Sequence, residues 1–178
     1  MKNLVAAACA LLLTACMGPL PGDYSATTPV LDMREFFDGS LTAHGMLQNR
    51  SGLMTRRFTA SIEASWSGNE GTLVEHFIFD DGEEQDRTWT LQLGEDGVIT
   101  GTAGDVVGTA EGVTAGSVLN WQYQLLVPYG DSTIQVNLDD WLYLIDENTL
   151  LNRTTLTKFG FRVGELTLVI SKDSIQPL

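Results

Sequence analysis

The sequence predicts an all-β domain, an antiparallel up-and-down meander of about eight to ten strands closed into a barrel, with a two-sheet β-sandwich as the alternative. Three observations predict it. From Ser40 onward apolar and polar residues alternate with period two. Turn signals rich in Gly, Asp and Asn separate the alternating runs at regular spacing. No long stretch carries a helical period, and long connections are almost absent. A sheet of so many strands tends to curl and close, which removes its edges.

The N-terminus differs in kind. Lys2 precedes an apolar run from Leu4 to Leu13, the layout of a secretory signal peptide and too short to span a bilayer. Leu13-Thr14-Ala15-Cys16 resembles a lipobox, the bacterial signal that makes a lipidated cysteine the mature N-terminus. Residues 1–15 are therefore read as signal peptide and Cys16 as the lipidation site. Two or more acyl chains suffice for stable membrane anchoring. In Gram-negative lipoproteins an aspartate after the cysteine signals inner-membrane retention; with Met17 there, the resemblance implies the periplasmic face of the outer membrane. Residues 16–30 carry Pro19, Pro21 and Pro29 among Gly, Ser and Thr, which reads as an extended tether reaching up to ~40 Å. Leu31 to Phe37 then forms one helical turn that plugs or caps the domain, which occupies residues 31–172. A tail, 173–178, follows.

Within the domain the strands read in order. Phe58, Ala60, Ile62, Ala64 and Trp66 alternate with Thr59, Ser61, Glu63 and Ser65. Leu73, Phe77 and Phe79 share a face that Glu75 interrupts. Trp89, Leu91 and Leu93 form the next. Leu119, Trp121, Tyr123, Leu125 and Val127 alternate with polar partners, as do Ile134, Val136 and Leu138. Phe161 to Ile170 closes the series. Turns are expected at 67–71, 80–82, 94–97, 112–116, 129–131 and 146–148, several built on Asp-Gly steps that supply positive φ.

Composition narrows the function. A net charge of −13 disfavours nucleic acid and anionic surfaces alike. The two cysteines, Cys9 and Cys16, both lie in the N-terminal segment, so the domain has no disulfide and no cysteine metal site. His44 and His76 are isolated, and the acids Asp80, Asp81, Glu83, Glu84 and Asp86 lack the order of an EF-hand, so no metal or other cofactor is expected. Gly130-Asp131-Ser132-Thr133 has no downstream histidine to act as base, so no serine esterase is assigned.

Asp139-Asp140-Trp141-Leu142-Tyr143, Leu151-Asn152-Arg153-Thr154 and Thr157-Lys158-Phe159-Gly160-Phe161 stand in order behind Phe79-Asp80-Asp81-Gly82 and Arg87-Thr88-Trp89. Together these motifs resemble DUF3833, a family of proteobacterial lipoproteins, over about residues 32–172. The resemblance implies a lipocalin-like barrel and a setting near lipid-modifying enzymes. It supplies no catalytic residues.

The candidate ligand residues are Trp89, Trp121, Tyr123, Trp141 and Tyr143 as an aromatic lining. Arg153 is the interior guanidinium that would pair with a ligand carboxylate or phosphate. A filled core and a hollow barrel produce the same sequence pattern. The reading is a membrane-anchored, non-enzymatic protein binding a lipid, a fatty-acid-like ligand or another small apolar molecule. The alternatives are an accessory protein of an envelope or lipid-modification complex with no cavity, and an enzyme using Asp140 or Asp80 as general base.

Overall fold

In a computed structural model, residues 18–130 and 132–172 are described. Cys16, the signal segment and the tail 173–178 lie outside them. The chain forms one closed barrel of ten antiparallel strands in which every strand pairs with its sequence neighbours. The strands are β1 (Gly39–Asn49), β2 (Met54–Ser67), β3 (Glu70–Phe79), β4 (Glu84–Leu93), β5 (Val98–Thr102), β6 (Ala110–Ala115), β7 (Val118–Tyr129), β8 (Ser132–Asp146), β9 (Thr149–Lys158) and β10 (Phe161–Ser171). β1 meets β10 from Thr42 opposite Ser171 to Asn49 opposite Gly164, and this pairing closes the barrel. A two-sheet sandwich is excluded.

Period two is what makes the inside. Along β2, Phe58, Ala60, Ile62 and Ala64 are buried, while Thr59, Ser61 and Glu63 face solvent. The same alternation runs through β4, β7 and β8. Because the meander is antiparallel, the β1–β2, β3–β4, β7–β8 and β9–β10 hairpins gather at one end. The N-terminal segment and the β2–β3, β4–β5, β6–β7 and β8–β9 turns gather at the other.

That second end is plugged. The short helix α1 (Met33–Phe36) is capped by Asp32, whose Oδ1 accepts from the Arg34 and Glu35 amides at 2.8 and 3.2 Å. Leu31, Met33, Phe36 and Phe37 are buried in the barrel core. The Trp66 indole N–H donates to the Phe37 carbonyl at 2.6 Å, fixing the exit of the plug. The expected capping turn is present.

The tether expectation needs correction for its described part. Pro21–Tyr24 forms a 3-10 turn rather than an extended spacer. The Ser117 amide donates to Thr27 Oγ1 at 2.9 Å, and the Leu31 amide to the Gly116 carbonyl at 2.8 Å. The Tyr24 ring sits 5.8 Å from Trp141 and 6.0 Å from Tyr143. Outward-facing, half-buried aromatics on the outer wall thus give this segment a surface to cover, and it straps onto the barrel.

The turn expected at 112–116 also moves. β6 runs through Gly112 to Ala115, and the reversal falls on Gly116, at φ +53°. Gly112 serves packing: a Cβ there would lie 2.7 Å from the Trp121 ring. The Asp96-Gly97 step takes positive φ at both residues, 54° and 76°, as a tight hairpin requires.

Candidate functional site

The barrel is hollow above the plug. A cavity of about 130 Å³ lies between Met33 and Phe37 of the plug segment and a polar band at mid-height. Its walls are mostly apolar and include Ala43, Ala60, Ile62, Trp89, Trp121 and Leu168. Trp89 meets Trp121 edge-on at 5.6 Å and Tyr123 at 5.3 Å. The Trp121 indole fits because two strands offer no side chain beneath it. A Cβ on Gly101 would stand 3.0 Å from its ring, and one on Gly112 closer still.

The polar band is built by cross-strand pairs. Glu75 on β3 lies directly opposite Arg87 on β4, and Trp121 on β7 opposite Asp140 on β8. Asp140 in turn faces Thr154 on β9, and Leu142, two residues on, faces Asn152. Period two aims all of these side chains inward. Arg87 is clamped by Asp105 from the β5–β6 connection, with Nη2 to Oδ2 at 2.7 Å and Nε to Oδ1 at 3.0 Å. Gln85 donates to the same carboxylate at 3.4 Å. Glu75 stands farther off, 3.8 Å from Arg87 Nη1.

Electrostatics follow from burial. Desolvation lifts the Glu75 carboxyl to about 7 against the pull of Arg87, with Asp105 and Asp140 adding to the rise. Desolvation likewise lifts Asp140 to about 7, although the Thr154 and Tyr123 hydroxyls and Arg87 pull it down. Burial also raises the Tyr123 phenol, with the Asp140 charge adding to it. Burial works against the Arg87 cation, but the Asp105 bonds and the carboxylates outweigh it and keep it protonated. Asp140 Oδ1, Glu75 Oε2 and Asn152 Oδ1 are buried without a hydrogen-bond partner.

A second chamber of about 150 Å³ lies toward the hairpin end, lined by Phe58, Phe79, Leu125, Val127, Leu138 and Leu156 among others. Phe77, Arg87, Tyr123 and Leu166 line both chambers and form the waist between them. At its outer rim the Arg56 guanidinium lies 3.7 Å over the Phe79 ring and pairs with Asp81 at 2.8 Å and Glu83 at 3.2 Å.

Of the residues singled out from sequence, Trp89, Trp121 and Tyr123 come together on the cavity wall. Trp141 and Tyr143 do not: β8 turns Asp140, Leu142 and Leu144 inward, so both aromatics face outward under Tyr24. Arg153 is exposed on the outer face, flanked by the buried Asn152 and Thr154. The interior guanidinium is Arg87. Asp80 is far from the cavity chemistry, tied in the β3–β4 turn to Arg57 at 3.1 Å. Asp80, Asp81 and Glu83 of the acidic turn engage Arg56 and Arg57, while Glu84 and Asp86 flank His76.

Sequence reasoning missed Glu75 and Arg87 as site residues, yet a signal existed. Glu75 sits in phase with Leu73 and Phe77, and Arg87 in phase with Trp89 and Leu91. A charge on the apolar phase of a strand points into the barrel.

Residues 10–172 match the model of a family described as a protein of unknown function, DUF3833. No curated protein matches the sequence. Among solved structures, the S-type phycobiliprotein lyase of Guillardia theta shares the fold at a TM-score of 0.59 and 10% identity, covering 82% of this chain and 95% of the other. A redesigned β-barrel bound to DFHBI aligns at TM-score 0.42 and 10% identity, over 78% and 99% of the two chains. An odorant-binding protein aligns at 0.36 and 14%, over 83% and 78%.

Proposed function

The chain belongs to the DUF3833 family, and from that membership together with its hollow barrel we propose that it binds one small, largely apolar, lipid-like molecule inside the barrel. We further propose that acyl chains on Cys16 hold it at the periplasmic face of the outer membrane, a reading supported by the Leu13-Thr14-Ala15-Cys16 motif.

The observation that carries the binding reading is the unfilled space. Protein interiors pack like organic crystals, yet here Ala43 and Ala60 face a void of about 130 Å³. An apolar cavity of about 150 Å³ holds a benzene-sized molecule. The second chamber beyond the Phe77–Tyr123 waist extends this space, which suits a chain-like molecule threaded along the axis. A solid accessory barrel is the reading these walls speak against.

The test is a titration of the purified chain with 1-decanol, following the fluorescence of the tryptophans, of which Trp89 and Trp121 line the cavity. Saturable one-to-one quenching that is lost in Ala60→Phe supports the reading. A titration without saturation, or one unaffected by Ala60→Phe, overturns it.

One observation favours a second reading. A buried carboxyl at about 7 on a cavity wall, Asp140, is suited to accept a proton from a bound molecule. That reading requires turnover of the ligand and its loss in Asp140→Asn.

A further inference from the structure

We infer that the cavity selects a ligand whose polar end is a hydrogen-bond donor, a protonated amine in the first instance, over one ending in a carboxylate or phosphate. This rests on the binding reading above and concerns the ligand's head, so the two fail in different ways.

On the wall of the first chamber the buried polar atoms left without a partner are all acceptors; the unpartnered donor Arg56 Nε belongs to the rim of the second chamber. Asp140 Oδ1, Glu75 Oε2 and Asn152 Oδ1 have no hydrogen-bond partner, and all three residues line the same cavity. Asp140 and Asn152 are only 6% and 5% exposed. They project from neighbouring strands, Asn152 opposite the residue two positions beyond Asp140. A buried acceptor without a partner is costly, and a ligand that supplies the missing N–H groups removes that cost.

The charge balance points the same way. Among the described residues lining the cavity, Arg87 is the one cation, and Asp105 holds it through Nε and Nη2. Glu75 and Asp140 are left over. A carboxylate entering this chamber would meet two acids and a guanidinium already held by Asp105. An ammonium offers three donors and the opposite charge. The groups facing the site are Glu75 from β3, Arg87 from β4, Asp105 from the β5–β6 connection, Tyr123 from β7 and Asp140 from β8. Asn152 and Thr154 from β9 are neutral. Glu75 and Asp140 titrate near 7, so the preference for the amine weakens on acidification.

The experiment compares four probes with one chain length, decylamine, decanoate, 1-decanol and decyltrimethylammonium, by tryptophan fluorescence at about pH 8 and about pH 5.5. The expected result at the higher pH is decylamine tighter by about tenfold or more than decanoate and than decyltrimethylammonium, which carries the charge without an N–H. Its advantage over decanoate shrinks at the lower pH, and Glu75→Gln and Asp140→Asn each reduce its ratio to 1-decanol. The head-group and pH series use the unaltered chain, so the outcome does not hang on a variant that folds poorly. Decanoate binding as tightly as decylamine overturns the inference. So does decyltrimethylammonium matching decylamine, which would assign the effect to the acidic surface. If 1-decanol fails as well, the cavity reading itself falls.

Discussion

Arg87 and Asp105 are joined by three hydrogen bonds, Nη2 to Oδ2 at 2.7 Å and Nε to Oδ1 at 3.0 Å and to Oδ2 at 3.1 Å, across the wall of the barrel. The pair pins the irregular β5–β6 connection to β4 and fixes the guanidinium on the described wall of the first chamber. Breaking it leaves a buried cation facing Glu75 alone. Asp105→Ala is expected to cost about 2–4 kcal/mol, below the largest values for buried pairs because Asp105 keeps 23% of its side chain exposed. Urea denaturation at neutral pH measures this. The same substitution should lower the Glu75 pKa, since Asp105 is one of the charges that raise it.

Stability should fall as pH rises through neutrality. Glu75 and Asp140 have folded-state values of about 7, above those of the unfolded chain. The native state therefore holds more protons between about pH 4 and pH 7, and the stability this contributes is fully present below about pH 4 and is lost progressively until it is gone above about 7. A tenfold difference in proton affinity between the folded and unfolded chain is worth about 1.4 kcal/mol, so the two groups together account for several kcal/mol at most. Glu75→Gln, which is neutral at every pH, should match the parent at about pH 4 and exceed it by about 1–3 kcal/mol at about pH 8. Denaturation midpoints at the two pH values check the sign.

Filling the cavity should separate binding from folding. Ala60 is buried at 6% exposure and faces the void. Ala60→Leu places methyl groups in empty space, so its stability should stay within about 1.5 kcal/mol of the parent. Affinity for 1-decanol should drop by about tenfold or more. Thermal unfolding and ligand titration on the same sample check both halves.

The rim should govern exchange. Phe79 packs with Phe58 at 5.6 Å and Phe77 at 6.4 Å, and Arg56 lies over its outer face. Phe79→Ala opens the outer chamber and should speed ligand dissociation more than it slows association. Stopped-flow displacement of bound 1-decanol is the readout.

Much of the fold was legible because a barrel wall obeys one rule. Phe58 to Ala64 and Leu119 to Val127 alternate in sequence and alternate in burial. The plug was legible from Leu31, Met33, Phe36 and Phe37. The site was legible in half. Trp89, Trp121 and Tyr123 share the apolar phase of their strands and line the cavity. Trp141 and Tyr143 obey the same alternation, but on β8 the inward phase belongs to Asp140, Leu142 and Leu144. Aromatic character alone does not reveal the phase. Arg153 drew attention as a charge in an apolar strand, yet its neighbours Asn152 and Thr154 take the inside. The Arg87–Asp105 pair depends on a connection folding back against β4, which strand periodicity does not encode. Docking of Tyr24 depends on outward aromatics that only the assembled wall presents.

The central claim is that the barrel interior is a binding site. The most direct measurement is a crystal structure of the chain with decylamine at saturating concentration. The account predicts density for the alkyl chain between Trp89, Trp121 and Leu168, with its nitrogen within hydrogen-bond reach of Asp140 and Glu75. A cavity that stays empty, or is filled by the protein's own side chains, would contradict it.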